Sequence, residues 1–222
     1  MCGRFTLKTP PADWGQLLLP HLDVASVSAD WQPRYNIAPT QGIVAIVPIA
    51  TTGYIAQHMR WGLVPSWADD LAIGNRMINA RSETLADKPA FRTALAKRRC
   101  AIVADGYYEW QTHGKTKQPF WIHRADESVF AFAGLWESNR KASNHDVTSA
   151  TIITAAATEA LAPMHDRMPT ILSGDALLRW LDPTTSATDA AELIQQRDVD
   201  LETRPVSTHV NNPRHEDADC LA

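Results

Sequence analysis

Short apolar segments separated by turn residues dominate the middle of the chain, and they limit the folds that it can adopt. Each is four to eight residues long and rich in β-branched or aromatic side chains, which is typical of strands. They do not alternate regularly with helices, so a parallel sheet is not indicated. We therefore predict an α+β fold, with a mostly antiparallel, barrel-like sheet and peripheral helices. The predicted strands are 43–49, 54–61, 101–104, 107–111, 120–123, 129–135 and 151–155.

Four other segments carry helix signals. Two of them open with a serine that can cap a helix and place an aspartate in the first turn, and one ends in three cationic side chains. A Pro-flanked segment, 32–41, is predicted to be a loop. The predicted helices are 11–19, 91–99, 173–181 and 186–196.

The length and composition are those of one domain with one core. The chain has 222 residues, 45% of them hydrophobic, and it contains no internal repeat or long linker. We therefore predict a single domain over residues 1–222. The acidic residues 213–222 follow the last patterned segment, and we expect them to be a frayed tail.

The cysteines and the apolar pattern constrain the compartment. Cys2, Cys100 and Cys220 lie far apart in an odd, sparse set that lacks Cys/His ligand spacing. This favours reduced thiols over a disulfide framework, and we expect no metal or other cofactor. The N-terminus lacks a signal-like segment, and no apolar run approaches 18 residues, so neither secretion nor membrane association is predicted.

The formal net charge of −4 hides an asymmetry between the two halves of the chain. Residues 1–124 contain 14 Lys and Arg against 9 Asp and Glu, a balance of +5. Residues 125–222 contain 7 against 16, a balance of −9. A basic face beside an acidic one is compatible with DNA binding but does not by itself indicate it.

The start of the chain, Met1-Cys2-Gly3-Arg4, could give a reactive N-terminus. Because Cys2 is small, methionine aminopeptidase would remove Met1 and leave a free α-amine (pKa about 8) beside a thiol (pKa about 8.5). The thiol could attack an amide with the amine as its base, which is N-terminal-nucleophile hydrolysis. Alternatively, amine and thiol together could capture an aldehyde as a five-membered thiazolidine. A Cys2 without any chemical role remains a third interpretation.

Three further positions could carry chemistry, and each also has an ordinary interpretation. Glu109 lies between two aromatic residues, where burial would raise its pKa, although strand alternation could equally expose it. His165 lies beside an aspartate and an arginine in a Pro-bracketed loop, as an oriented imidazole or a surface histidine. Asn79 and Arg81 are spaced to share one face of an extended segment, where they could bind phosphate or serve structure. Trp67 lies in a Gly/Pro-punctuated loop and is either a binding platform or a lid on the core.

Taken together these motifs resemble the SOS-response-associated peptidase (SRAP) family, which is known for capturing abasic sites in single-stranded DNA. The resemblance spans residues 2–211 in family order. Its most specific parts are the Cys-Gly-Arg start and the His-Asp-Arg-Met-Pro block. The matching segments are 2–5, 34–36, 38–39, 61–63 with Pro65 and Trp67, 78–81, 83–84, 104–110, 154–156, 165–169, 205–207 and 210–211.

The resemblance implies a thiazolidine between Cys2 and the ring-opened abasic aldehyde, with Asn79, Glu109 and His165 around it. It also implies a wedge at Pro39 against duplex DNA at single-strand/double-strand junctions. The other residues that the resemblance implies as DNA contacts are Arg4, Asn36, Trp67, Arg81, Trp110, Thr154 and Arg167. His165 is expected to protonate the sugar oxygen, Glu109 to move protons during Schiff-base formation, and Asn79 to orient the amine or a sugar hydroxyl.

The expected partner is single-stranded DNA that contains abasic sites, bound by a monomer. The resemblance further implies lyase activity and an autopeptidase-type self-removal of Met1. Localisation is expected to be cytoplasmic and nucleoid-associated in a bacterium, or nuclear in a eukaryote. The rival classes are an N-terminal-nucleophile amidohydrolase and a non-covalent single-strand-binding module, for which the basic half and the tryptophans would suffice.

Overall fold

The computed structural model describes residues 2–49, 53–195 and 200–222, and its α+β architecture confirms the predicted fold class. Most of the regular structure is antiparallel sheet, and the helices are short and peripheral. The strands are β1 Phe5–Leu7, β2 Leu22–Asp23, β3 Arg34–Ile37, β4 Gly42–Pro48, β5 Tyr54–Trp61, β6 Asn79–Arg81, β7 Arg99–Ala104, β8 Gly106–His113, β9 Thr116–His123, β10 Phe130–Asn139, β11 Val147–Ala156, β12 Arg167–Pro169, β13 Ile171–Leu172 and β14 Glu202–Pro205. The helices are α1 Pro11–Leu17, α2 Ala25–Ser28, α3 Pro89–Lys97, α4 Gly174–Leu181 and α5 Ala187–Leu193.

Five of the long strands form a closed ring. Their order is β11-β10-β7-β4-β5, and β5 then pairs with β11 in parallel to complete the barrel. The other four pairings in the ring are antiparallel. The residues of β7 are buried throughout, because the barrel covers one face and helices α3 and α4 cover the other. Closure leaves these five strands with few free edges.

A second sheet carries the beginning of the chain. Its order is β14-β9-β8-β1-β3, so β1 lies in the middle between two antiparallel neighbours. Phe5 lies opposite Tyr107 of β8 on one side and opposite Ile37 of β3 on the other. This pairing fixes the position of Cys2 and Arg4, which precede β1.

Strand β11 gathers distant segments at one end of the barrel. The short strand β6 pairs with it in parallel, with Asn79 opposite Ile152 and Arg81 opposite Thr154. Strand β12 pairs with the last residues of β11 on the other side, which places Arg167 opposite Ala156. Three segments that are far apart in sequence therefore meet beside one another.

The predicted secondary structure is correct in outline and wrong at several boundaries. The predicted helix 91–99 ends at Lys97, and Arg99 begins β7 with its buried guanidinium bonded to carbonyl oxygens of Leu95 and Trp180. The predicted loop 32–41 contains β3, because residues 34–37 form a strand that pairs with β1. The predicted helix 186–196 ends at Leu193, and its last predicted residue lies outside the described part of the chain.

The expectation that residues 213–222 are frayed is wrong. Cys220 is fully buried, and the Ser207 amide donates to the oxygen of Ala222 over 2.6 Å. The carboxylate of Glu216 accepts bonds from the Tyr35 and Asn36 amides at 2.6 and 2.8 Å. An acidic tail is ordered here because its carboxylate satisfies backbone donors of β3 that would otherwise have no partner. None of the described helices is long and apolar enough to cross a membrane.

Candidate functional site

Cys2 lies at the centre of the candidate site and is completely buried. The side-chain amide of Asn79 donates to its carbonyl oxygen over 2.8 Å, which ties the chain start to β6. Burial raises the pKa of the Cys2 thiol well above its ordinary value, and the carboxylate of Glu109 raises it further. The thiol is therefore protonated at neutral pH and needs a proton acceptor when it reacts.

Only one of the two polar side-chain atoms of Asn79 has a hydrogen-bond partner among the described residues. Its Nδ2 is bonded to Cys2, whereas its Oδ1 is buried without a hydrogen-bond partner among the described residues. An unsatisfied buried acceptor costs about 1–3 kcal/mol. The Oδ1 atom of Asn79 therefore lies beside Cys2 and could accept a hydrogen bond from an amine or a hydroxyl.

Glu109 is the buried acid of the site. It lies on β8 with only 5% of its surface exposed, and burial raises the pKa of its carboxyl to about 7. A carboxyl with that pKa is present in both protonation states at neutral pH, so it can donate and accept protons with similar ease. The alternative that strand alternation exposes Glu109 is not what the structure shows.

Tyr107 was not among the predicted site residues. It is two residues before Glu109 on β8, so both side chains point to the same face of the strand. Its hydroxyl is buried without a partner among the described residues, and both Cys2 and Glu109 raise its pKa in addition to burial. The strand spacing could have identified it, but a tyrosine in an aromatic run is usually interpreted as core.

A cleft of about 420 Å³ connects Glu109 to the surface. It is lined by Glu109 and Trp110 of β8, Lys117 of β9, His165 and Asn211. Sequence reasoning identified three of these five and missed Lys117 and Asn211. The strand partner of Lys117 is Thr112, three residues beyond Glu109 on β8.

His165 meets the cleft with a defined ring orientation. Its Nδ1 accepts a bond from the Arg167 amide over 3.0 Å and lies 2.7 Å from an oxygen of Asp166. Partial burial lowers the pKa of His165, so the imidazole is mainly neutral at neutral pH. In that state Nδ1 is the acceptor and the proton is on Nε2, whereas in the imidazolium Nδ1–H donates to Asp166 instead.

Arg167 and Thr154, two of the residues implied as DNA contacts, are hydrogen-bonded to each other. Arg167 makes a two-pronged ion pair with Glu83 at 2.9 and 3.1 Å, and it also donates to the side chain and carbonyl oxygen of Thr154. Thr154 is fully buried. The structure therefore places Thr154 as a support for Arg167.

Arg4 and Asn36 are likewise engaged within the protein. Arg4 donates to Asn36 Oδ1 over 2.8 Å and to the Val210 carbonyl over 2.9 Å. The fully buried Asn36 donates to the carbonyls of Val210, Asn212 and His215. Together they connect the chain start to the C-terminal segment.

The remaining residues implied as DNA contacts face solvent to different degrees. Trp67 is 56% exposed on a loop whose two ends are held by Asn139, which donates to Pro65 and Ala68. Arg81 is exposed, and its guanidinium has no ion-pair partner within the described ranges. Pro39 is half-buried between β3 and β4, and Trp110 is half-buried with its Nε1 bonded to Asn211.

A cluster of possible metal ligands lies in the C-terminal segment. The sequence did not predict a metal site there, because its cysteines and histidines lack the usual ligand spacing. Donor atoms of His209, Asp217 and Cys220 lie within 4.8 Å of one another, and His209 is already bonded to Asp217 at 3.1 Å. This set could hold a divalent cation such as Zn²⁺, which accepts nitrogen, oxygen and sulfur ligands. It lies outside the cleft residues.

The fold is a closed barrel with a flanking sheet that holds the start of the chain, and the site contains the buried residues Cys2 and Glu109. Known proteins with similar sequences identify the class to which this architecture belongs. The chain belongs to the SOS response associated peptidase (SRAP) family, whose pattern it matches over residues 1–213. This confirms the resemblance seen in the sequence.

The relatives are full-length matches. The abasic site processing protein YoaM of Bacillus subtilis is 39% identical over 226 residues, covering 100% of this chain and 97% of that protein. The abasic site processing protein YedK of Escherichia coli is 30% identical, covering 100% and 99%. A crystal structure of a Bacteroides thetaiotaomicron protein superposes with a TM-score of 0.85 at 22% identity over 99% of this chain and 98% of that one, which supports the fold.

Proposed function

We propose that this protein captures abasic sites in single-stranded DNA by forming a thiazolidine through Cys2. Family membership and the names of the full-length relatives support abasic-site processing as the broader activity. The observation that carries the covalent step is that Cys2 and Glu109 are both buried and close enough for the carboxylate to raise the pKa of the thiol, while the pKa of the carboxyl itself is about 7. An aminothiol beside a carboxyl of that pKa has both nucleophiles and the proton carrier that aldehyde capture needs.

The reaction begins with the sugar. An abasic sugar is mostly a closed hemiacetal, and opening it requires a proton on the ring oxygen and loss of the C1 hydroxyl proton. With Nδ1 engaged by Arg167 or Asp166, the Nε2–H of His165 is the ring proton available to the cleft. His165 therefore protonates the ring oxygen, and the imidazolium held by Asp166 is the acid form.

Capture of the aldehyde then involves Cys2 and Glu109. The α-amine adds to the aldehyde carbon, and the resulting hydroxyl leaves as water with a proton from Glu109. This leaves a protonated imine and the Glu109 carboxylate. The thiol adds to the imine carbon, and its proton returns to that carboxylate, which restores the acid. One aldehyde and one aminothiol thus give one thiazolidine and one water. The open acceptor of Asn79 is placed to orient the amine or to bind a sugar hydroxyl.

The proposal requires removal of Met1, which lies outside the described residues. Until Met1 is removed the Cys2 nitrogen is an amide and cannot form an imine. We propose that the peptidase activity in the family's description corresponds to this autopeptidase-type cleavage. Lyase activity would proceed from the same imine by β-elimination, and closure of the thiazolidine consumes that imine.

The binding surface in this proposal is formed by three exposed or half-buried side chains, Trp67, Arg81 and Trp110, of which Trp110 lines the cleft. Trp67 and Trp110 offer aromatic faces on which bases next to the abasic gap can stack, and Arg81 offers an unpaired cation for phosphate. Pro39 is proposed to face duplex at a junction. The protein acts as a monomer in this scheme.

An intact-mass measurement tests the covalent step. The purified protein should lack Met1 and gain the mass of an abasic single-stranded oligonucleotide minus one water. Cys2→Ala should give no stable product, and Cys220→Ser, which keeps a hydrogen-bond donor toward the His215 carbonyl, should react like the unaltered protein. Equal cross-linking by Cys2→Ala would refute the thiazolidine. Hydrolysis of glutamine or peptide without cross-linking would favour an amidohydrolase.

A substrate comparison tests the role of His165. His165→Gln should slow capture of abasic DNA and slow reversal of a finished cross-link equally, because a catalyst acts in both directions. A small open-chain aldehyde needs no ring opening, so Cys2 should capture it almost as fast in the variant. Timed gels with DNA and mass spectrometry with the aldehyde provide the readouts. Equal impairment with both substrates would instead place His165 in amine or thiol activation.

A further inference from the structure

We infer that Lys117 and Asn211 form an anion subsite for the phosphodiester next to the abasic sugar. The inference rests on the proposed function, since it names a binding element of the same cleft. Both residues line the cleft opposite the acid and the histidine to which chemistry is assigned. Neither was assigned a functional role from the sequence, although Asn211 lies in a segment that matches the family.

The orientation of the Asn211 amide is set by Trp110. The indole Nε1–H of Trp110 donates to Asn211 Oδ1 over 2.7 Å. An indole N–H is a donor only, so the oxygen of the amide must face Trp110. The Asn211 Nδ2 therefore points elsewhere, and its two N–H donors have no partner among the described residues.

Lys117 supplies the positive charge. It is exposed on β9, and among the described residues that line the cleft it is the only lysine or arginine. Its ammonium group makes no ion pair or hydrogen bond in the described part of the chain. A cation and two amide donors beside a half-buried indole can bind an oxyanion and stack a neighbouring base.

The chemistry of the cleft favours a phosphodiester over other anions. Among the described residues that line the cleft, Glu109 is the one with an acidic side chain, and its raised pKa leaves it partly neutral at neutral pH, so it opposes an anion only weakly. In the proposed reaction the abasic carbon must reach the buried Cys2 and Glu109, so the neighbouring phosphate, which is several bonds away along the strand, lies nearer the mouth of the cleft. Lys117 and Asn211 are the donors available there.

The test uses DNA that cannot react. A single-stranded oligonucleotide with a tetrahydrofuran abasic analogue lacks the aldehyde, so fluorescence anisotropy reports binding alone. Lys117→Ala should weaken binding about five- to tenfold and reduce the salt slope by about 0.7, the value for one phosphate contact on a single strand. Lys115→Ala is the matched control on the same hairpin, outside the cleft, and should change neither quantity.

A double-mutant cycle then tests which phosphate Lys117 contacts. In this cycle a neutral methylphosphonate replaces the phosphate 5′ or 3′ of the abasic analogue. At the phosphate that Lys117 contacts, this replacement and Lys117→Ala should be non-additive, so that the variant loses nothing further. Full additivity at both positions, or an equal effect of Lys115→Ala, would overturn the subsite. Absence of cross-linking by the unaltered protein would instead remove the covalent proposal and leave this binding test intact.

Asn211→Asp tests the amide half of the subsite without disturbing the fold. A carboxylate still accepts the Trp110 bond but has lost both donors and repels an anion. Binding of the tetrahydrofuran DNA should weaken by tenfold or more at low salt, with an unchanged melting temperature. Binding as tight as that of the unaltered protein would exclude Asn211 from the subsite.

Discussion

Two arginines that the family resemblance implies as DNA contacts lie in opposite environments. Arg4 is half-buried and bonded to Asn36 and two carbonyls of the C-terminal segment, and burial lowers its pKa. Arg81 is exposed and has no ion-pair partner in the described ranges. The same residue type thus serves to position the reactive chain start in one region and is free to bind a ligand in the other.

The difference extends to the surrounding side chains. In the interior network, defined here as Cys2, Arg4, Asn36, Asn79 and Glu109, most polar groups already have partners within the protein. In the exposed rim, defined as Trp67, Arg81 and Trp110, aromatic faces or charges remain accessible. Interior substitutions should therefore change reaction rate or stability, and rim substitutions should change affinity and its salt dependence.

The largest effect is expected inside the network, at Glu109. Glu109→Gln preserves the shape but cannot exchange a proton, so cross-linking should slow by about 10²-fold or more while DNA binding persists. Single-turnover gels at saturating DNA measure the rate. A loss below about threefold would show that Glu109 does not carry the proton and would remove the functional contrast with the rim.

Glu109 should also leave a pH signature in stability. Its pKa is about 7 in the folded protein against an ordinary 4.5, so the folded state binds the extra proton and loses stability as pH rises across that range. Relative to Glu109→Gln, the unaltered protein should lose about 3 kcal/mol between these pH values. Urea unfolding of both proteins at several pH values provides the measurement, and parallel curves would contradict the raised pKa.

Arg4→Ala should come next, through stability. The substitution leaves the buried Asn36 oxygen without its Arg4 donor and removes one of the two donors to the Val210 carbonyl, at a cost of about 2–4 kcal/mol. Cross-linking should fall as well, because the network holds the chain start. Chemical denaturation checks the first effect. A variant of unchanged stability but weakened DNA binding would show that Arg4 belongs with the rim.

Arg81→Ala should have the smallest effect, and only on binding. The free energy of unfolding should stay within about 0.5 kcal/mol, since an exposed unpaired side chain is removed. Affinity for single-stranded DNA should fall a few-fold, with a salt slope smaller by about 0.7. A salt titration beside an unfolding curve distinguishes it from Arg4→Ala. If the two variants gave the same salt titration and the same unfolding curve, the proposed difference between Arg4 and Arg81 would be wrong.

Much of the fold could be predicted from local pattern. The apolar runs that became β4, β5, β7, β8, β9, β10 and β11 are visible in the sequence because their side chains repeat the strand period or are buried on both sides. The strand β3 was missed because its four residues lie between prolines and extend only through pairing with β1. The ordered tail was missed because its acidic composition does not reveal that Glu216 reaches the backbone of β3.

The candidate site divides in the same way. Cys2, Asn79, Glu109 and His165 were identified from residue type and motif, and the structure brings them to one region. Tyr107, Lys117 and Asn211 were not, because residue type alone does not distinguish an aromatic in a strand, a lysine near a turn or an asparagine in a polar loop from ordinary structural residues.

The sequence by itself determined which groups can react: an aminothiol once Met1 is lost, a carboxyl among aromatics and an imidazole beside an aspartate. Only the tertiary structure decided their chemical state and their partners. The Glu109 pKa of about 7 arises from desolvation by strands that are distant in sequence. Long-range pairing places carbonyl acceptors around the guanidinium of Arg4, whereas no acceptor in the described part of the chain bonds the guanidinium of Arg81. Burial and hydrogen-bond satisfaction depend on the whole surroundings of an atom, which no stretch of sequence contains.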